Sequence, residues 1–334
     1  MLNLNIYFDY SYWLADRKLI ASSFHQSSIL NSYYKYLYSK NRPIQDNYIK
    51  SGPQKLINNL IKAYKDKSDV VFNQPKFNNY YFCTYLDKHR EFLINVLNSN
   101  SKVVVGPLYT NEGFLNLVKL TKRYQNLKIV AASEVAKSTI IKISDKRIDQ
   151  KNIVILPVGI GSKDEILKKQ QNISTLKKEK CLIYFKGRKK SELEKIENLL
   201  DDKHISNKVF EYGNYKSEDL IEFAKIAKFA IILGRSESQG IGINELMSYN
   251  LPMLVIDAFD NFYNNQIYPG TTVPYWSNLC GMKVSDIQDF EKNIDVFLKS
   301  VDDQEYQPNK YVLETLTFEI MSKNLEGIFK SISF

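Results

Sequence analysis

The chain has 334 residues but only three cysteines, Cys83, Cys181 and Cys280, widely spaced and without a C-x-x-C pair. That excludes a disulfide scaffold and a zinc ribbon, and it predicts a reducing compartment. The three histidines, His25, His89 and His204, stand at no ligand spacing, which argues against a histidine-built metal centre. No apolar run approaches the roughly 18 residues that span a bilayer. The opening stretch MLNLNIYFDYSYW lacks the basic start and small-residue cleavage site of a secretory leader. The expectation is a cytoplasmic protein without a transmembrane helix. Repeats at solenoid period are absent as well.

What is present is a globular composition, 44% hydrophobic and 25% charged. At roughly 150 residues per domain, the length predicts about two domains. The net charge of +9 is unevenly placed. Residues 1–157 hold 23 Lys and Arg against 11 Asp and Glu, whereas residues 158–334 hold 23 against 26. Compositional drift toward Lys, Asn, Ile and Tyr would explain part of this. The functional reading is contact with an anionic membrane surface or an anionic acceptor. The lysines are scattered along helical stretches such as KLINNLIKAYKDK without an arginine-rich run, so no nucleic-acid partner is expected.

Two kinds of segment alternate. Short apolar runs predict buried strands at Asp69–Asn73, Lys102–Gly106, Lys128–Ala132, Asn152–Leu156, Lys180–Phe185, Lys208–Tyr212, Phe229–Leu233 and Pro252–Asp257. Amphipathic helices are predicted at Pro53–Tyr64, Arg90–Leu97, Glu112–Tyr124, Glu134–Ile143, Ser191–Leu200, Ser217–Lys228, Ile241–Tyr249 and Tyr311–Ile332. Such alternation means α/β with doubly wound parallel sheets. The polar, glycine-bearing stretch 156–180 reads as a linker. The predicted division is therefore an N-terminal domain 1–157, a linker 158–179 and a C-terminal domain 180–317. A last helix, about 318–334, is expected to pack back onto the first domain. Ligands of such folds bind beyond the carboxyl ends of the strands.

The richest segment is FAIILGRSESQGIGINELMSYNLPMLVID, residues 229–257. A strand ends near Gly234, a small polar turn follows, and a helix begins near Ile241. A glycine beside a helix N-terminus leaves backbone N–H groups open to an anion. Glu237 in the turn and Glu245 in the helix lie eight positions apart, so both can face one ligand. A lone pair of glutamates would more simply be a helix N-terminal charge and a solvated face.

The full string E-S-Q-G-I-G-I-N-E-L-M-S-Y-N-L-P-M-L-V is similar to the E-x7-E signature of group 1 (family 4-like) glycosyltransferases of the GT-B fold. That resemblance implies two Rossmann-like domains facing a cleft and a retaining transfer from a nucleotide-sugar donor such as a UDP- or GDP-sugar, with no cofactor. It implies that Glu237 contacts the transferred sugar as the catalytic residue and that Glu245 holds the ribose hydroxyls. Ser238, Gln239, Gly240 and Ile241 would meet the donor's diphosphate or sugar. CLIYFKGRKKSELEKIENLL resembles the first strand and helix of the donor domain, and places Lys186 and Arg188 at the diphosphate. Where the family commonly has a further lysine six residues on, position 194 is Glu, leaving Lys189, Lys190 or Lys195 as substitutes. EYGNYKSEDL is similar to the family's strand and Gly loop, implying that Tyr212, Gly213, Asn214 and Tyr215 lie near the nucleobase. In the N-terminal half, KSGPQKLINNLIKAY resembles the acceptor-side loop and puts Gly52 and Pro53 at a helix start.

The chemistry implied is stabilisation of a leaving diphosphate by positive groups and helix N–H donors. No D-x-D, the metal-holding pattern of other transferases, occurs in the chain. Asp257 and Asp260 form only D-x-x-D and are expected to cap the loop after a strand. The acceptor implied is a glycan or a lipid-linked sugar. Other enzymes of the same fold, a nucleotide-sugar epimerase or a phosphorylase, remain alternatives. So does a non-catalytic protein that docks its basic half on membrane or nucleic acid.

Overall fold

The structure is a computed structural model that describes residues 2–8, 52–109, 111–145, 147–173, 179–263 and 266–333. Two compact units divide it: residues 1–159 with 319–334, and residues 160–318.

Unit 1 is built on six parallel strands. In chain order they are β1 Leu4–Tyr7, β2 Val70–Phe72, β3 Asn79–Tyr85, β4 Lys102–Tyr109, β5 Leu127–Ala131 and β6 Ile153–Ile155. They lie side by side as β2-β1-β3-β4-β5-β6. The connecting helices are α1 Gly52–Tyr64, α2 Arg90–Asn98, α3 Asn111–Arg123 and α4 Glu134–Ile143. Val103, Val105, Leu127, Ile129 and Ile153 from the sheet pack against Leu93, Leu97, Leu117 and Ile140 from the helices. Each such side chain contributes roughly 1.5–3 kcal/mol by leaving water. Gly52 and Pro53 open α1, as the sequence predicts. Lys50 and Ser51, which precede them in the presumed acceptor loop, fall outside the described residues.

Unit 2 holds β7 Lys180–Lys186, β8 Asn207–Glu211, β9 Ala227–Gly234, β10 Met253–Ile256 and β13 Gly281–Val284, all parallel, in the order β13-β10-β9-β7-β8. A separate antiparallel hairpin pairs β11 Asp260–Tyr263 with β12 Gln266–Pro269. The helices are α5 Lys163–Ile173, α6 Lys190–Asp202, α7 Ser217–Ile226, α8 Ile241–Ser248, α9 Ile287–Asp302 and α10 Pro308–Thr315. Cys181 to Phe185 are buried without a break, as a strand covered on both faces requires. One face packs on Ile196 and Leu200 of α6 and on Phe290, Ile294 and Phe297 of α9.

Both sheets share one feature that matters below. Counting strands within each unit as they occur, the spatial order starts 2-1-3 in both. The chain's direction across the sheet therefore reverses between β1 and β3 in unit 1, and between β7 and β9 in unit 2. Such a switch point opens a crevice at the carboxyl ends of the two strands.

Three expectations are corrected. The stretch 158–179, read as a linker, contains helix α5, whose start is capped in both directions: the Glu165 N–H donates to Ser162 Oγ at 3.2 Å and the Ser162 N–H to Glu165 Oε2 at 2.8 Å. The helix expected at Tyr311–Ile332 is interrupted. It consists of α10 and α11 Phe318–Ser331, with Thr317 bridging to Gly161 between them. Helix α7 stops at Ile226, because Ala227 and Lys228 already belong to β9. Among the described residues no helix is long and apolar enough to cross a membrane. The three cysteines are free thiols, all buried.

Candidate active site

The switch point of unit 2 is where the sequence-predicted residues converge. Lys186 closes β7 and is the register partner of Gly234, which closes β9. The Arg235 N–H extends the pairing by one bond, to Lys186 O at 3.2 Å. The two strand ends are thus fixed side by side, although 48 residues of sequence separate them. From one, Lys186 Nζ reaches Glu237 Oε1 at 2.5 Å. This charge-assisted bond is only partly exposed to water, so it is less screened than a surface pair. The same ammonium lies 4.1 Å from the centre of the Tyr212 ring. Tyr212 follows β8, is anchored by its N–H to Phe185 O at 2.8 Å, and leaves its ring 43% exposed. Beside it, Gly213 adopts a positive φ, and the Asn214 side-chain amide donates to Glu211 Oε2 at 3.0 Å.

Gly240 is the residue before α8 and sits in the left-handed region, φ 61°. That turn lets Ile241 start the helix with its first N–H groups free of helical partners. Asn244 braces the turn, donating to Gln239 O at 3.1 Å. Gln239 is buried, and its Nε2 has no hydrogen-bond partner among the described residues. Ser238 is exposed, Ile241 is buried, and Glu245 is half-buried on α8.

Behind these residues lies a tyrosine pair. The Tyr184 and Tyr215 hydroxyls are bonded to each other, and the rings meet edge to face at 6.3 Å. Burial pushes the Tyr215 pKa up to about 12, and its neighbours Tyr212, Glu245 and Glu237 add to the rise. Burial also raises Tyr184 well above its ordinary value, again with Tyr215 and Glu237 contributing. Both hydroxyls therefore stay neutral facing the two glutamates. Tyr184 was read only as part of a strand, and nothing in its spacing marked it as part of the site.

Arg188 behaves differently from Lys186. Its guanidinium forks onto Glu192 one helical turn on, Nη2 to Oε1 at 2.6 Å and Nε to Oε2 at 3.2 Å. Burial works against the Glu192 carboxylate, but the bonds from Arg188 and the Lys189 N–H outweigh it and hold its pKa below the usual range. Lys189, Lys190 and Lys195 are exposed on or beside α6. Arg235, not singled out from the sequence, lays its stem over Gly187 next to the Lys186–Glu237 pair. Gly52 and Pro53 belong to unit 1. The site of unit 2 thus assembles Lys186, Tyr212, Tyr215, Glu237, Gly240 and Glu245, and leaves Arg188 tied to Glu192.

Residues 139–299, from α4 to α9, match the family described as glycosyl transferases group 1. That stretch, just under half of the chain, is similar to group 1 glycosyltransferases. It encloses every residue of the convergence just described. No curated protein matches the sequence. Solved structures with a similar course of the chain include TarM at 12% identity, covering 82% of this chain and 58% of TarM, with a TM-score of 0.44. They also include the sucrose-phosphate synthase from Thermosynechococcus elongatus, at 12% identity, 85% and 80% coverage and a TM-score of 0.45. A third is the lipopolysaccharide outer core galactosyltransferase WaaB, at 13% identity, 82% and 80% coverage and a TM-score of 0.45. The chain thus spans less than two thirds of the length of TarM.

Proposed function

We propose that this chain is a glycosyltransferase that moves a sugar from a nucleotide-sugar donor to a glycan or lipid-linked acceptor, with retention at the anomeric carbon and without a metal ion. The observation that carries the reading is the bonded Lys186–Glu237 pair at the strand switch, beside the open helix start at Gly240. A donor diphosphate placed there would meet the N–H groups of Ile241 and its neighbours, the dipole of α8, and the cations Lys186 and Arg235. These groups take up the charge that builds on the leaving phosphate, which is the role a metal ion plays elsewhere.

Lys186 would exchange its bond to Glu237 for one to phosphate. The freed Glu237 carboxylate would then stabilise the positive charge developing on the transferred sugar. Glu245 would accept from the ribose hydroxyls, near the neutral Tyr215 hydroxyl. The exposed Tyr212 ring offers the nucleobase a stacking face. Acceptor binding falls to unit 1, with Gly52 and Pro53 on the acceptor side. The basic excess of residues 1–157 favours an anionic carrier, such as one held at a membrane surface. Three free, buried cysteines favour the reducing cytoplasm as the place of reaction.

A thermal-shift panel of UDP, GDP, dTDP, CMP and their common sugars, with and without Mg²⁺, tests the donor site. One nucleotide series should raise the melting temperature without metal, because a ligand that binds only the native state stabilises it. With that donor, Glu237→Gln should lower transfer by about a hundredfold or more while the chain still melts cooperatively. Near-normal turnover in the variant would remove Glu237 from the mechanism. Complete loss of rate in EDTA would contradict metal independence.

A further inference from the structure

We propose that Asp257 is a positioning residue for Glu237, acting through Thr271. This rests on the catalytic reading of Glu237 above. Asp257 directly follows β10 and is buried, 5% exposed. A carboxylate taken out of water is costly unless donors surround it. Here they do: Oδ1 accepts from the Thr272 N–H at 2.6 Å, the Ala258 N–H at 3.0 Å and Thr271 Oγ1 at 2.9 Å. Oδ2 accepts from Lys283 Nζ at 3.0 Å and, more loosely, from Thr271 Oγ1 at 3.1 Å. Lys283 comes from β13 and stands over the Trp276 ring. One anion therefore binds two strands of the sheet to the loop that returns from the β11–β12 hairpin.

That loop holds the catalytic turn. The Glu237 N–H donates to Thr271 O at 2.8 Å, and the Thr271 N–H donates to Ser236 Oγ at 3.3 Å. Thr272 Oγ1 reaches back to Gly234 O at 3.3 Å, at the start of the same turn. The first half of the turn between β9 and α8 is tied to two adjacent threonines, and both threonines are bonded to Asp257. Lys186 meets the Glu237 carboxylate, and the Thr271 carbonyl holds the backbone from which that carboxylate projects. A residue that must meet a reacting atom tolerates little drift, since a displacement near 1 Å can cost on the order of a hundredfold in rate.

The test uses the full chain with Asp257→Asn, Thr271→Val and Thr271→Ser. Hydrogen exchange is read on the peptide spanning 234–240, and acceptor-free nucleotide release is read on a panel of UDP-glucose, UDP-galactose and GDP-mannose. Thr271→Val keeps shape and backbone carbonyl but loses the hydroxyl that meets Asp257. It should speed exchange of the Glu237 amide and lower kcat on the order of a hundredfold, with the donor KM little changed. Thr271→Ser should restore both, and Asp257→Asn should resemble Thr271→Val if it folds. Combined with Glu237→Gln, Thr271→Val should cause no further loss, which a purely structural role would not produce. Unchanged exchange of the 234–240 peptide in a folded Thr271→Val chain would overturn the tether. An undiminished kcat, or a loss that adds fully to that of Glu237→Gln, would overturn its effect on rate. Wild-type turnover of Glu237→Gln alone would sink the catalytic reading instead, while the exchange measurement would still judge the tether.

Discussion

Two glycines make opposite demands on their surroundings. Gly240 needs its left-handed φ of 61°, but a Cβ there would only touch Pro274 Cδ at 3.4 Å. Gly240→Ala should therefore cost about 1–2 kcal/mol of stability, the strain of the conformation alone, and leave the helix N–H groups in place. Gly281 stands at φ 139°, and a Cβ there would fall 1.9 Å from Met253 O in the neighbouring strand. Gly281→Ala has no small adjustment open to it, and should lose about 3 kcal/mol or more through displacement of β13 from β10. Urea melts of the two variants give both numbers, and equal losses would contradict the contrast. At this scale the sequence was legible wherever chemistry is local. The glutamates, the turn glycine and the lysine after β7 could each be named from what flanks them. Their pairing could not, because the bond between Lys186 and Glu237 exists only once β9 has settled beside β7. Arg188 shows the reverse: its ion pair with Glu192 joins residues four apart and stood in plain view in the sequence.

Elements were legible in proportion to how long and how apolar they are. The eight predicted strands all exist, with ends that differ by at most three residues. The missed ones have reasons. β1, LNIY, and β13, GMKV, break their apolar runs with Asn5 and Lys283, and β13 opens on glycine. β3, NYYFCTY, is buried almost throughout but spells itself in tyrosines, whose ring bodies pack like core while their hydroxyls disguise the run. Helix α5 was hidden by its polarity, since only Ile166 among its described side chains is fully buried, yet its S-x-x-E start was readable. Ser162→Ala should therefore lower stability by about 1 kcal/mol, measured by denaturant midpoint. A loose linker at that position would register no change.

Across the whole molecule, tyrosines set the upper limit of pH. Burial raises Tyr64 to about 12, with smaller effects from Ser322 and nearby carboxylates, and raises Tyr215 to a similar value. Burial also raises Tyr81 and Tyr184 well above their ordinary value. An unfolded tyrosine ionises near 10, so these groups stabilise the fold fully below that pH. Above it the unfolded chain releases protons that the folded one keeps, and stability falls through pH 10 to 12. The last part of the tyrosinate absorbance, that of these buried rings, should therefore appear only together with loss of helical circular dichroism. Titration of all 23 tyrosines while the helical signal persists would contradict the burial. Two domains of α/β type were legible at this scale from alternation alone. The interruption at Thr317 was not, since its cause is a bridge to Gly161, far away in sequence.

The return of residues 319–334 to unit 1 also orders events in time. Met321 accepts from the Gly159 N–H at 3.3 Å, Lys102 Nζ holds Phe329 O at 2.9 Å, and Leu325 and Ile332 are buried. A ribosome making about 5–20 residues each second releases the whole of unit 2 before it releases this segment. The domain begun first is thus the one completed last. While translation runs, its flank waits uncovered beside a finished neighbour, and that interval is when a chaperone would have most to do.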